Sequence, residues 1–169
     1  EIEAEGTTTT GLRRKLMAHA FQHTADYDKT ISEYFSGQTE GEVFPATYQV
    51  VLRRKDNLRY GENSHQKAAL YSAGDCRDAN LVNARQLNGK QLSYNNLLDL
   101  DSALAIVRNQ ESPSCSVIKH NNPCGAATGE TLVDACRKAF AGDPVSAFGS
   151  VIGINREVDE TTAEFLAAG

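Results

Sequence analysis

With 169 residues, 40% of them hydrophobic and 23% charged, the chain is long enough for one ordinary domain with a real core and is close to a soluble globular average. A formal net charge of -5 and a pI of about 5.4, with no basic run, argue against a dedicated nucleic-acid binder but leave room for a local basic pocket. No apolar stretch approaches the roughly 18 residues of a membrane span, and the acidic, then Thr-rich first ten residues lack the pattern of a secretory signal.

In chain order, residues 12–35 carry a helical pattern. Leu12, Leu16, Ala20, His23, Tyr27, Ile31 and Tyr34 recur at three- to four-residue steps. Thr9 or Thr10 is the expected cap and Gly37 the expected stop. Residues 36–42 are rich in Ser, Gly and Glu and read as a linker. Residues 48–52 and 68–71 are predicted strands, residues 59–66 a polar turn, and residues 84–89 a connector ending in the Asn88-Gly89 turn signal. Residues 96–107 are a predicted helix with Leu97, Leu100, Leu104 and Val107 on one face. Residues 115–118 read as a buried strand, 121–125 as a loop, 131–140 as a helix, 147–154 as a second buried strand and 160–168 as a helix. That alternation predicts an α/β unit with a largely parallel sheet.

Four segments could carry chemistry. In SVIKHNNPCG (residues 116–125), Lys119 and His120 fall at the end of a predicted strand, where open α/β sheets build ligand sites. Histidine can accept a proton near neutral pH, and lysine brings a compact charge for an oxyanion or a phosphate. On pattern alone, solvated loop residues after a strand are the simpler reading of both. In LRYGENSHQ (residues 58–66), Arg59 could hold a phosphate and Gly61 could admit a ligand to the backbone. A hydrogen-bonded polar turn explains the same residues. In LSYNNLLDLD (residues 92–101), Ser93, Asn95 or Asn96 could simply cap the helix. In GDPVSAFG (residues 142–149), turn chemistry accounts for Gly142-Asp143-Pro144.

Cys76, Cys115, Cys124 and Cys136 form no CxxC pair, which reads as reduced thiols in a cytoplasmic protein. Pro123-Cys124 lacks the second Cys and the preceding HxE of zinc deaminases. His19 and His23 lie four apart on a helix, but a solvated or satisfied pair is the simpler reading, and no metal is predicted. Glu1 is not an initiator Met, and the chain stops at Gly169 just after a helical pattern begins, so a fragment is expected.

RYGENSHQ, QLNGKQLSYNNLLDLDSAL, KHNNPCGAA and DPVSAFG, in this order, closely resemble the transformylase domain of the AICAR transformylase/IMP cyclohydrolase family. RRKLMAHAFQHTADYD resembles the last helix of the preceding cyclohydrolase domain. The resemblance implies that residues 1–36 end the cyclohydrolase domain, 37–47 form a linker, and 48–169 form the first half of the transformylase domain. It implies a cytidine-deaminase-like three-layer α/β/α half-domain and, in the complete enzyme, a homodimer. The implied reaction is formyl transfer from 10-formyltetrahydrofolate, a cosubstrate, to the 5-amino group of AICAR in purine biosynthesis.

By the same resemblance, His120 is the general base and Lys119 stabilises developing charge. Arg59 and Tyr60 hold the nucleotide, and Asn96 orients its carboxamide region. The chain departs from some members at Ser64, where they have Pro, and at Ser150, where they have a substrate-contacting Asp. Ser150 is therefore not an expected site residue. The resemblance places the folate-binding residues mostly beyond Gly169 and the cyclohydrolase site before Glu1. Besides an incomplete formyltransferase, two readings follow: an inert nucleotide-binding module, and a structural fragment that dimerises through apolar surface.

Overall fold

The computed structural model describes residues 2–38, 44, 47–74 and 78–168. Contacts divide the chain into two compact units, Glu1–Gln49 and Val50–Gly169. In the first, a short helix α1 (Ile2–Glu5) precedes the long helix α2 (Thr10–Ser36). Thr9 caps α2 by accepting a hydrogen bond from the Leu12 amide at 3.2 Å. Gly37 ends it by donating to the Glu33 carbonyl at 3.0 Å. The expected apolar stripe is present but faces solvent: no α2 residue is buried, and Leu16, Tyr27, Ile31 and Tyr34 are exposed. The linker expected at residues 36–42 lies outside the described residues from position 39 onward.

The second unit opens with β1 (Arg53–Asn57), paired antiparallel with β2 (Ala69–Ser72). The strand expected at residues 48–52 is not formed. Those residues are exposed and have no ladder partner, whereas the polar run that follows them meets β2. β-Branched residues favour a strand only where a neighbour receives them. A 3-10 turn (Leu81–Asn83) leads to the connector with Asn88-Gly89, where Gly89 takes a φ of 90°. Helix α3 (Tyr94–Val107) follows.

The remaining elements are β3 (Ser114–Lys119), β4 (Asn122–Thr128), α4 (Leu132–Phe140), β5 (Val151–Ile154) and α5 (Glu160–Ala167). The sheet order is β4-β3-β5, and both neighbours run antiparallel to β3. The expected parallel sheet is therefore corrected. β4 and β5 do run in the same direction, joined through α4, but β3 lies between them, so no parallel pair forms.

The loop expected at residues 121–125 is mostly the start of edge strand β4. Pro123 is tolerated there because an edge strand leaves some amides outside the ladder. The register shifts between Val117/Ile118, where Val117 faces Gly125 and Ile118 faces Pro123, so Cys124 is the extra residue of a bulge. The strand expected at residues 147–154 begins only at Val151. The residues between Asp143 and that strand are drawn into a turn, with the Asp143 carbonyl accepting from the Ala147 amide at 3.0 Å.

Alternation along β3 fixes the layers. Cys115 and Val117 join Leu132, Ala135, Cys136 and Ala139 of α4 in the core. Ser116, on the opposite face, donates its hydroxyl to the Ala103 carbonyl of α3 at 3.0 Å. Two glycines allow both helices to press onto the sheet. A Cβ at Gly125 would stand 1.9 Å from the Ala139 carbonyl oxygen, and one at Gly153 would stand 2.6 Å from that of Ala103. Phe165 of α5 covers α4, its ring 5.6 Å from Phe140 and nearly perpendicular to it.

Candidate functional site

β3 turns into β4 through two residues, with Lys119 facing Asn122 across the ladder. His120 and Asn121 have φ of 51° and 62°. Two consecutive positive values make this a type I′ reversal, whose twist matches the strands it joins. His and Asn are among the side chains that enter this region most readily. His120 stands exposed at the tip. The Asn121 amide, which has no ladder partner, donates to Asp99 Oδ1 of α3 at 2.7 Å. Ser102, one turn further along α3, donates its hydroxyl to Asn121 Oδ1. Asn122 Nδ2 donates to the His120 carbonyl at 2.8 Å.

Lys119 is half-buried and its Nζ donates to the Phe148 carbonyl at 2.9 Å. This brings the GDPVSAFG segment to the hairpin. Within it, hydrogen bonds from Ser146 hold the Asp143 carboxyl below the usual carboxylate range, and the Lys119 charge adds to the effect.

The other candidate residues gather at the start of α3. Ser93 is its N-cap. Ser93 Oγ accepts from the Asn96 amide at 3.3 Å, while Asn96 Oδ1 accepts from the Ser93 amide at 3.0 Å, closing a capping box. The Asn96 carbonyl oxygen is thus engaged in the helix, which leaves its NH2 group as the donor available to a ligand. The segment around Arg59 is bound to this helix start by backbone. The Arg59 amide donates to Leu92 O at 2.8 Å, and the Tyr94 amide to Tyr60 O at 3.1 Å. Asn95 Nδ2 adds a bond to Glu62 O at 3.0 Å. The exposed Arg59 guanidinium lies over the Tyr60 ring, 4.7 Å from its centre, and donates to its hydroxyl at 3.0 Å.

Gly61 does not open a backbone approach for a ligand. It is buried, and a Cβ there would stand 2.9 Å from Gln66 Cβ. The Gly61 amide donates to Gln66 O at 2.9 Å, so residues 61–66 form a hydrogen-bonded turn.

The direction of α3 relates the two groups. Ala103 meets Ser116 in the middle of β3, and Asp99 meets Asn121 at its end, so α3 runs antiparallel to β3. Its N-terminus therefore points toward the hairpin tip. Asn96 lies about 5 Å further along the helix axis than Asp99. Arg59, Tyr60, Asn96, Lys119 and His120 thus all fall at one end of the layered unit. Sequence reasoning did not single out Asp99, Ser102 or Asn121. The available signals were the polar spacing of Asp99 and Ser102 along α3 and the His-Asn pair between two β-rich runs.

An apolar cavity of about 490 Å³ in the same unit, lined by residues including Leu58, Leu70, Leu81, Leu97 and Leu100, includes none of these five. Burial, followed by the neighbouring Cys136, pushes the Cys115 thiol far above its usual range, and burial raises Cys136 as well. Thiols held protonated in this way are unsuited to act as nucleophiles. Among the described residues, no group of three or more His, Cys, Asp or Glu side chains is placed to hold a metal ion. No helix among them is long and apolar enough to cross a membrane.

The unit is thus an α/β layer structure with helices on both sheet faces and a cluster of cationic and amide side chains at one end. The chain belongs to the AICARFT/IMPCHase bienzyme family, whose model matches residues 1–168. It is 63% identical over 166 residues to the bifunctional purine biosynthesis protein PurH of Rhodopirellula baltica, which covers 98% of this chain and 32% of that protein. It is 50% identical over 167 residues to the PurH of Lysinibacillus sphaericus, covering 99% and 32%. To the PurH of Halalkalibacterium halodurans it is 46% identical over 166 residues, covering 98% and 32%. The chain therefore spans about a third of the length of the curated relatives it matches.

Proposed function

We propose that this chain carries the nucleotide-binding and proton-accepting side of a formyltransferase site. That site moves the formyl group of 10-formyltetrahydrofolate to the 5-amino group of AICAR in purine biosynthesis. The observation that carries the reading is the convergence of Arg59, Tyr60 and Asn96 at the start of α3 with the Lys119-His120 hairpin tip, to which α3 points. In the domain reading, residues 1–36 end a cyclohydrolase domain, 37–47 link, and 48–169 begin a transformylase domain of cytidine-deaminase-like fold. The complete enzyme is a cytoplasmic homodimer, and this chain alone lacks the folate side.

The chemistry explains the residue types. The AICAR amine is a poor nucleophile because its lone pair is delocalised through the ring into the carboxamide. As its nitrogen bonds to the formyl carbon it must lose a proton, and exposed His120 accepts it. Lys119, steadied by the Phe148 carbonyl, faces the negative charge that grows on the formyl oxygen. Collapse of the tetrahedral adduct breaks the bond to the folate nitrogen, which leaves as tetrahydrofolate carrying the proton that His120 took from the amine. Arg59 swings from its stack on Tyr60 to bind the phosphate through two parallel N–H donors. The NH2 group of Asn96 donates to the carboxamide oxygen.

The test is formyl transfer followed by tetrahydrofolate release, with this chain alone and with this chain plus the remaining transformylase portion. Activity only in the mixture is expected. Silence in both, with folding and association verified, would overturn the reading. A second reading, an inert fragment that associates through apolar surface, draws on exposed Leu16, Tyr27, Ile31 and Tyr34 of α2. Heterogeneous oligomers in size-exclusion chromatography would favour it, whereas nucleotide binding without transfer would favour an inert nucleotide-binding module.

A further inference from the structure

We infer that Asp99, assisted by Ser102, is a positioning residue that fixes the His120 imidazole relative to the nucleotide-holding residues. The inference rests on the formyltransferase reading for what His120 does, but not for how it is held.

A two-residue reversal leaves the amides of its two central residues outside the ladder. An exposed amide of this kind is ordinarily satisfied by water. Here the second of them, on Asn121, has a fixed acceptor, Asp99 Oδ1 at 2.7 Å. A carboxylate accepting from an N–H is a charge-assisted bond, roughly twice as strong as a neutral one. Ser102 engages the side chain of the same residue, so Asn121 is tied at both backbone and side chain to one face of α3. Asp99 and Ser102 are three residues apart and stack on one helix face. His120 immediately precedes this tied residue, and among the described residues its side chain makes no hydrogen bond. Its imidazole position is therefore inherited from the turn. Asn95, one turn before Asp99, ties the Arg59-Tyr60 segment through Glu62 O at 3.0 Å. One line of polar residues on α3 (Asn95, Asp99 and Ser102) thus holds both parts of the site in one frame. A misplacement of about 1 Å in such a frame costs on the order of 100-fold in rate.

The experiment compares wild type, Asp99→Ala, Asp99→Asn and Ser102→Ala. In this chain, amide hydrogen exchange at Asn121 is read by NMR. Asp99→Ala should speed it at least tenfold, while Asp99→Asn, which keeps an acceptor oxygen, should restore it to within about threefold. Rapid exchange at Asn121 in the wild type, or no acceleration in Asp99→Ala, would overturn the inference.

Turnover is then read in whichever form is active in the formyl-transfer assay. Asp99→Ala should lower kcat at least tenfold with the KM for AICAR changed less than threefold, and Asp99→Asn should recover most of the loss. Ser102→Ala should show a smaller loss of the same kind. It keeps the test open should Asp99→Ala fail to fold. Equal losses in kcat and in nucleotide affinity, without recovery in Asp99→Asn, would mean a merely structural role. If no form transfers formyl groups, the formyltransferase reading fails, while the exchange data still decide whether Asp99 holds the turn.

Discussion

Replacing Gly125 by Ala tests the closest approach in the fold. The new Cβ would stand 1.9 Å from the Ala139 carbonyl oxygen and 3.0 Å from its carbon, both backbone atoms of α4. Ordinary contact is about 3.5 Å, so α4 and β4 must separate by about 1.5 Å. A gap of only 0.5–1 Å already forfeits roughly a quarter to a half of each dispersion contact. The contacts at stake belong to Leu132, Ala135, Cys136 and Ala139, all buried against Cys115 and Val117. The cost should therefore reach the upper end of overpacking penalties, about 3 kcal/mol or more. For a unit of this size that lowers Tm by roughly 12 °C. Urea unfolding followed by far-UV circular dichroism measures it. Gly89→Ala is the comparison, because Gly89 has a φ of 90° but the nearest neighbour of a new Cβ there would be a flexible Gln86 side chain at 3.7 Å. That change should cost only about 1 kcal/mol, from backbone strain alone. If Gly125→Ala costs no more than Gly89→Ala, the close-packing argument for Gly125 is wrong.

In the active form, His120→Asn should abolish most turnover while changing stability by less than about 0.5 kcal/mol, since Asn also accepts a positive φ; retained turnover would remove His120 as the base. Arg59→Ala should raise the Kd for AICAR at least tenfold, measured by calorimetry, and an unchanged Kd would end its phosphate role. Ser93→Ala should cost about 1 kcal/mol by breaking the capping box, read as a shift in the urea midpoint without a change in slope. Acidification should destabilise the chain. The carboxyls of Asp134, Asp143 and Asp159 are held below the usual range, chiefly by hydrogen bonds from Lys138, Ser146 and Thr162 respectively. Their folded values lie under the unfolded value of about 3.9, so their contribution is complete above that and is lost as pH falls through the folded values. A urea midpoint that rises on acidification below about pH 4 would contradict this.

The four longer helices were legible because each carries its own punctuation, whereas the four-residue α1 was not expected. Thr9, Ser93, Thr131 and Asp159 cap α2, α3, α4 and α5, and the apolar spacing of α4 and its burial coincide. The buried strand β3 was legible from its apolar run between turn signals. Sheet direction was not, because it depends on the His120-Asn121 reversal, and these are not the Asn-Gly or Asp-Gly residues that usually announce a type I′ turn. The segment after it read as a loop because Pro123 and Gly125 are common in loops. Here one is allowed by an edge strand and the other is required by the closeness of Ala139. In the candidate site, the residue types were visible in sequence, whereas Asp99 was not, because its importance comes from a bond spanning 22 positions.

Arg59-Tyr60 and Lys119-His120 are about 60 positions apart, yet neither pair needs to touch the other to be correctly spaced. Each is fastened to α3, the first through backbone bonds at Leu92 and Tyr94, the second through Asp99 and Ser102. A helix has a fixed rise per residue, so α3 acts as a ruler between them. Its apolar and polar contacts then have different consequences for function. Ala103 and Val107 are buried, and substitutions there disturb how α3 packs, moving both pairs together relative to the sheet. Asn95, Asp99 and Ser102 instead make the polar contacts to the two segments, and substitutions there shift one pair against the other. The first class should cost stability before it costs catalysis. The second should cost catalysis at nearly constant stability, because an exposed polar contact stabilises the fold little while fixing a geometry on which the rate depends steeply.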